Sequence, residues 1–192
     1  MSLTAPTLAS ERLSYFSALC EAMKLCARRD AIFIGQGVGL HGGTTMSQTL
    51  IHAIPSQRWE FPVAEDMQMG FCIGMALEGL LPVCIFPRWN FFLLAWNQAI
   101  NHLDRLPLYS YEGYNPKVII RTAIPSTIPF NPGPQHDDDF TEAFSLMTRR
   151  IKVVRLGNVE QIIPAYKAAL DENGSTLLVE YTDCYKNERA KG

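Results

Sequence analysis

The chain has 192 residues, of which 47% are hydrophobic, enough for one compact domain with a sizeable core. Its net charge of -2, with no basic run or stripe, argues against nucleic acid as a partner. No apolar stretch approaches the roughly 18–20 uncharged residues of a membrane span, and Met1 to Glu11 lacks the basic-then-apolar layout of a secretory leader.

Residues 1–11 read as a loose polar arm, residues 12–186 as one domain and residues 187–192 as a polar tail. Leu13, Phe16, Leu19, Cys20, Met23 and Cys26 recur at helical spacing and predict a helix within Arg12 to Arg29. Ala31 to Gly35 is a short apolar strand. A glycine-rich loop follows from Gln36 to Thr45 and reads as flexible; a helix is expected over Ser47 to Ile54. Arg58 to Phe61 is a second strand, and Glu65 opens a nearly all-apolar helix with Gly70 and Gly74 four apart. Pro82 to Phe86 is a strand, Phe91 to Leu106 a helix and Lys117 to Thr122 a strand. After a Pro/Gly loop over 123–136, a helix is expected at Asp139 to Met147 and a strand at Ile151 to Arg155. Val159 to Asp171 is a helix stopped at Gly174, and Ser175 to Tyr181 the last strand.

Strands separated by helices imply right-handed crossovers. The expected fold is a three-layer α/β/α sandwich on a mostly parallel sheet. Such folds bind ligands at the C-terminal ends of their strands. Three segments arrive there: the loop after Gly35, the Pro62–Glu65 junction and the loop before His136. The runs from Glu65 and through Pro87 to Trp96 are so apolar that a monomer of this size scarcely hides both, which implies a large protein–protein interface.

Cys20, Cys26, Cys72, Cys84 and Cys184 have no paired spacing and form no Cys-x-x-Cys. That points away from disulfides and structural zinc and toward a reduced, cytoplasmic protein. Gly35-Gln36-Gly37-Val38-Gly39 departs from the Gly-x-Gly-x-x-Gly dinucleotide spacing. His136-Asp137-Asp138-Asp139 has metal-binding residue types, but acids just before a helix are ordinary first-turn features; a metal-dependent hydrolase built on them is the least favoured reading. Glu65 reads either as a first-turn acid favoured by the helix dipole or as a catalytic carboxylate in a dry crevice.

The order of motifs weighs on that choice. Pro62-Val63-Ala64-Glu65 is followed by Gly70-Phe71, Ile73-Gly74-Met75-Ala76-Leu77, Gly79-Leu80 and Pro82-Val83. Phe91, Asn97-Gln98, Val118 to Arg121, Gly133-Pro134-Gln135-His136, Glu142-Ala143-Phe144 and Ile151 to Val154 come next. From about Leu13 to Tyr185 this series resembles the pyrimidine-binding domain of thiamine-diphosphate-dependent enzymes. The resemblance is to beta subunits of 2-oxo acid dehydrogenase decarboxylating components, then to transketolases and deoxyxylulose-phosphate synthases.

The resemblance implies thiamine diphosphate as cofactor. It assigns the family's glutamate to Glu65, sharing a proton with N1′ of the aminopyrimidine so that the imino tautomer can remove the thiazolium C2 proton. It places the stacking aromatic at Phe91 and the substrate-side histidine at His136. Arg88, three residues earlier where the family usually has another aromatic, is expected beside the cofactor with Glu65 and Phe91. Gln36 replaces the acids that beta subunits often carry after the first strand. The chain lacks the Gly-Asp-Gly motif with a distant Asn that holds magnesium and diphosphate, and no further domain is expected after Tyr185. The resemblance therefore implies a split enzyme, plausibly an α2β2 assembly, whose second subunit holds Mg2+ and the diphosphate. Its reaction would be cleavage next to a ketone or 2-oxo acid with transfer of a two-carbon or acyl unit. The alternative is a non-catalytic interaction or regulatory paralogue with the same fold.

Overall fold

Every residue of Pro82–Phe86 is buried, as a strand covered on both faces must be. A computed structural model describes residues 13–40, 43–126 and 131–187. In it this strand, β3, is joined by β1 (Ile32–Gly35), β2 (Arg58–Glu60), β4 (Ile119–Ile124), β5 (Lys152–Arg155) and β6 (Thr176–Tyr181). The six form one sheet in the order β2-β1-β3-β4-β6-β5, and every neighbouring pair is parallel. The expected three-layer sandwich is present.

The period-two alternation of strand side chains divides the interior into two cores. On one face Phe33, Val83, Ile85, Ile119 and Leu178 pack under α1 (Tyr15–Ala27) and α6 (Val159–Asp171). On the other, Ile34, Cys84, Phe86, Ile120, Leu177 and Val179 meet Met69, Cys72 and Ile73 of α2 (Glu65–Leu77). Trp89 and Phe92 of α3 (Trp89–Leu93) and Phe144 of α5 (Thr141–Met147) complete that second core. The ends of α1 and α6 follow from their caps. Ser14 accepts from the Ser17 N–H at 3.0 Å, and Asn158 forms a capping box with Gln161.

Three expectations are corrected. The helix expected over Ser47–Ile54 is only a 3-10 turn at Ser47–Leu50. There Thr44 and Ser47 exchange side-chain hydrogen bonds and the Thr49 hydroxyl donates to the Met46 carbonyl, so hydroxyls compete with the helical ladder. The helix expected from Phe91 to Leu106 is interrupted. After α3 comes a π-helical segment, Asn97–Leu103, widened so that the Asp104 N–H reaches the Ala99 carbonyl at 2.9 Å, and Pro107 then starts α4 (Leu106–Tyr109). Lastly, Asn187 belongs not to a tail but to α7 (Thr182–Asn187). The expected arm, 1–11, and residues 188–192 lie outside the described residues.

Candidate active site

Because the strands are parallel, the loops leaving their C-terminal ends share one side of the molecule. The first, after β1, is held rather than flexible in its described part. The Glu60 carboxylate accepts from the Gly37 N–H at 2.6 Å and the Gly39 N–H at 2.7 Å. Gly37 has φ 69°, and a side chain at Gly43 would come within 2.7 Å of the Gly37 carbonyl, so this turn requires glycine. The backbone donors that a dinucleotide loop would offer to a pyrophosphate are occupied by the protein's own acid.

Glu65 stands at the first position of α2, where Asp66 also favours the helix dipole. Its side chain is buried, only 6% exposed, yet it has no hydrogen bond or ion pair among the described residues. Dipole stabilisation accounts for an acid here but not for its burial without a donor. One turn on, fully buried Gln68 fixes the height of the helix over the sheet. Its Nε2 donates to the Ile85 carbonyl at 3.1 Å and to Cys84 Sγ at 3.2 Å, and its Oε1 accepts from Gln36 Nε2 at 2.8 Å. Gln36 also donates to the Pro62 carbonyl at 2.8 Å, so the β1 loop and the turn into α2 are tied together.

The second half of the site comes from the ends of β3 and β4. The Phe91 and His136 rings meet edge to face with centroids 5.4 Å apart, and the Arg88 guanidinium carbon lies 5.9 Å from the Phe91 centroid. The turn carrying His136 is shaped by Asn131, whose Oδ1 accepts from the Gly133 N–H at 2.8 Å, and by the His136 N–H donating to the Gly133 carbonyl at 2.9 Å. Asn90 Nδ2 donates to Asp138 Oδ2 at 2.9 Å and clamps that loop onto α3. Asp139 accepts from the Thr141 N–H at 2.9 Å and from Arg155, so Asp138 and Asp139 serve different partners. No group of three or more His, Cys, Asp or Glu among the described residues could hold a metal ion.

The fold thus stacks Arg88, Phe91 and His136 into one group. Glu65 enters the same side from the β2–α2 junction, and no hydrogen bond or ion pair among the described residues joins it to that group. Two polar atoms here, Asn90 Oδ1 and His136 Nδ1, are buried without a partner. Sequence reasoning missed Gln68, Asn90 and the clamping role of Asp138. The available signal was Gln68, a lone neutral polar residue three after Glu65 in an otherwise apolar helix.

The profile of the transketolase pyrimidine-binding domain matches residues 11–186. The chain belongs to this family. It is therefore a pyrimidine-binding domain of the thiamine-diphosphate-dependent enzymes. Among curated relatives, a pyruvate dehydrogenase E1 component subunit beta from Gracilaria tenuistipitata var. liui is 28% identical over 174 residues, spanning 88% of this chain and 53% of that protein. The mitochondrial subunit from Ascaris suum is 28% identical over 167 residues, 85% of this chain and 45% of its own length. The domain thus spans about half the length of these relatives. Among solved structures, a split-gene transketolase described as an inactive β4 tetramer superposes with a TM-score of 0.66 at 16% identity, covering 88% of this chain and 51% of that one. A Mycobacterium smegmatis protein described as a candidate thiamin diphosphate-dependent enzyme gives 0.56 at 15%, covering 89% and 32%. At such identities the structural likeness speaks for the fold alone.

Proposed function

We propose that this pyrimidine domain is one subunit of a split thiamine-diphosphate-dependent enzyme of transketolase type. A separate subunit holds Mg2+ and the diphosphate in an α2β2 assembly, and the active site lies between them. The observation that carries this reading is Glu65, a buried acid without a partner among the described residues at the start of α2, in a chain of this family.

The residues present fit the cofactor's aminopyrimidine. Glu65 offers an unpaired carboxylate to a ring nitrogen, and half-buried Phe91 offers an aromatic face. Asn90 Oδ1 and His136 Nδ1 supply buried hydrogen-bonding atoms that await partners. When bound, thiamine diphosphate supplies the electron sink that lets a bond next to a ketone or 2-oxo acid break and its two-carbon or acyl fragment be transferred. With the cofactor bound, Glu65 would hold a proton shared with a ring nitrogen of its pyrimidine. The Gln36–Gln68 network keeps that carboxylate at a fixed height, and His136 hydrogen-bonds a carbonyl or hydroxyl of the substrate. Phe91 and the apolar neighbours of α3 keep water from the ring.

The partner surface in this reading includes the outer face of α2, where Met67 is 61%, Phe71 41% and Leu77 44% exposed, together with Leu94 of the α3 turn at 62%. The buried thiols of Cys26, Cys72 and Cys84 accord with a reducing cytoplasm.

Co-purification with a candidate diphosphate-binding subunit, followed by calorimetric titration with thiamine diphosphate and Mg2+, tests the reading. Binding is expected for the complex and not for this chain alone. Glu65→Gln is expected to abolish turnover with assembly intact. Gln36 in place of an acid favours a second reading: a non-catalytic interaction paralogue. A stable complex that takes up no cofactor would decide for it.

A further inference from the structure

Arg88 carries a charge that the protein leaves unanswered. Its backbone is fixed at the start of α3, where its carbonyl accepts from the N–H groups of Phe91 and Phe92, both at 3.2 Å. Its side chain is half-buried against the Phe91 ring. Among the described residues the guanidinium has no hydrogen bond and no carboxylate within ion-pair distance. Arg121 and Arg155, by contrast, are each paired, with Glu180 at 2.7 Å and Asp139 at 2.5 Å. Of the acids of the facing loop, Asp138 is bonded to Asn90 and Asp139 to Thr141 and Arg155, while exposed Asp137 makes no ion pair with Arg88. On the same aromatic ring sits His136, whose Nδ1 is buried without a partner. A guanidinium held near an aromatic face presents its donors in a fork that fits an oxyanion.

The source of that oxyanion follows from elimination within the proposed function, on which this inference rests. An aminopyrimidine has no anionic group for a guanidinium to meet, and the diphosphate belongs to the second subunit. The candidates left are an acid of the second subunit and the substrate, and the unpartnered His136 Nδ1 on the same ring favours the substrate. We propose that Arg88 is a specificity-determining residue that binds the oxyanion group of the donor substrate, a 2-oxo acid carboxylate or a sugar phosphate. His136, across Phe91, binds the carbonyl or hydroxyl being transformed. The assignment departs from the sequence expectation, which put Arg88 with the cofactor-holding residues.

The test uses the assembled enzyme with pyruvate, xylulose 5-phosphate and the uncharged ketose erythrulose as donors. Arg88→Gln is expected to raise the ratio of KM for the anionic donor to KM for erythrulose by about 10- to 100-fold, the range for losing a charge-assisted hydrogen bond. Arg88→Lys is expected to restore part of the ratio. Whether pyruvate or xylulose 5-phosphate is affected identifies the oxyanion. An unchanged ratio, or a weaker thiamine diphosphate affinity with no change in the ratio, overturns the proposal. A second measurement does not need turnover. The Arg88 Nε–Hε resonance of this chain is expected to move on titration with oxamate or with inorganic phosphate. If no assembly takes up thiamine diphosphate, the split-enzyme reading fails, and a stationary resonance with both probes then overturns the assignment of Arg88 separately.

Discussion

Gln36 donates its side-chain amide to Gln68 Oε1 at 2.8 Å, and this bond ties the loop after β1 to the buried face of α2 one turn beyond Glu65. Gln68 has no solvent to fall back on, being fully buried, while its own amide is spent on the Ile85 carbonyl and Cys84. Gln68→Leu keeps the volume and removes these bonds. It is expected to cost about 1–3 kcal/mol, the penalty for stranding a buried polar group. Urea denaturation checks the loss. Faster amide exchange at 62–66 than at 82–86 checks that the damage falls on the Glu65 junction.

The same reasoning gives a larger effect on the opposite face of the sheet. Arg121 donates to Glu180 from Nε at 2.7 Å and from Nη2 at 3.0 Å, and both side chains are fully buried. Tyr166 adds a hydrogen bond to Glu180 at 2.8 Å, and Tyr185 adds another. Arg121→Met leaves Glu180 charged in the core and is expected to cost about 3–5 kcal/mol. Arg121→Met combined with Glu180→Gln removes the stranded charge and is expected to recover much of that loss. A double-mutant cycle from urea denaturation measures the coupling.

Alkali reaches the same cluster. Burial first, with the Glu180 carboxylate beside them, pushes the Tyr166 and Tyr185 phenols well above their ordinary value of 10.0. A raised folded-state value means that this contribution is intact below the unfolded phenol's pKa and is lost as pH rises beyond it, because the unfolded chain then sheds protons that the folded chain keeps. The urea midpoint is expected to hold from about pH 8 to about pH 10 and then to fall toward pH 11, less steeply in Tyr185→Phe.

Gly74 separates the needs of the chain from those of its assembly. A Cβ placed there meets nothing within 4 Å, and the residue lies on the exposed stripe with Met67 and Phe71. Gly74→Ala is expected to stabilise the isolated chain by about 0.5–1 kcal/mol through helix propensity. It is also expected to weaken affinity for the second subunit, because a helix packing there approaches the bare backbone. Calorimetry on the complex checks this. Unchanged affinity would place the interface elsewhere.

Much of the architecture was legible in the residues. The boundaries of β3 follow from an uninterrupted apolar run, and the start of α6 from Asn158 and Gln161, because each is decided by local chemistry; α6 ends at Asp171, where Glu172 turns extended two residues before Gly174. The strand order was not, since alternation sets the hand of the crossovers but not which strand neighbours which. The break after α3 escaped notice because apolar periodicity continues through the π-helical segment. In the candidate site, the strand-end argument grouped the loop bearing His136 with the Glu65 junction. That Asn90 reaches Asp138 and Gln36 reaches Gln68 depends on contacts 48 and 32 residues apart, which no local pattern encodes.

The turn from α6 into β6 has a practical use. Gly174, at φ 91°, leads into the N-terminal end of β6, while the candidate site lies at the C-terminal ends of the strands. Glu172 and Asn173 are exposed on that opposite side. A cysteine-directed dye or biotin tether at Asn173 would anchor the molecule to a sensor surface with its candidate site facing the solution. Cofactor and subunit binding could then be followed optically on immobilised protein without the attachment point competing for either.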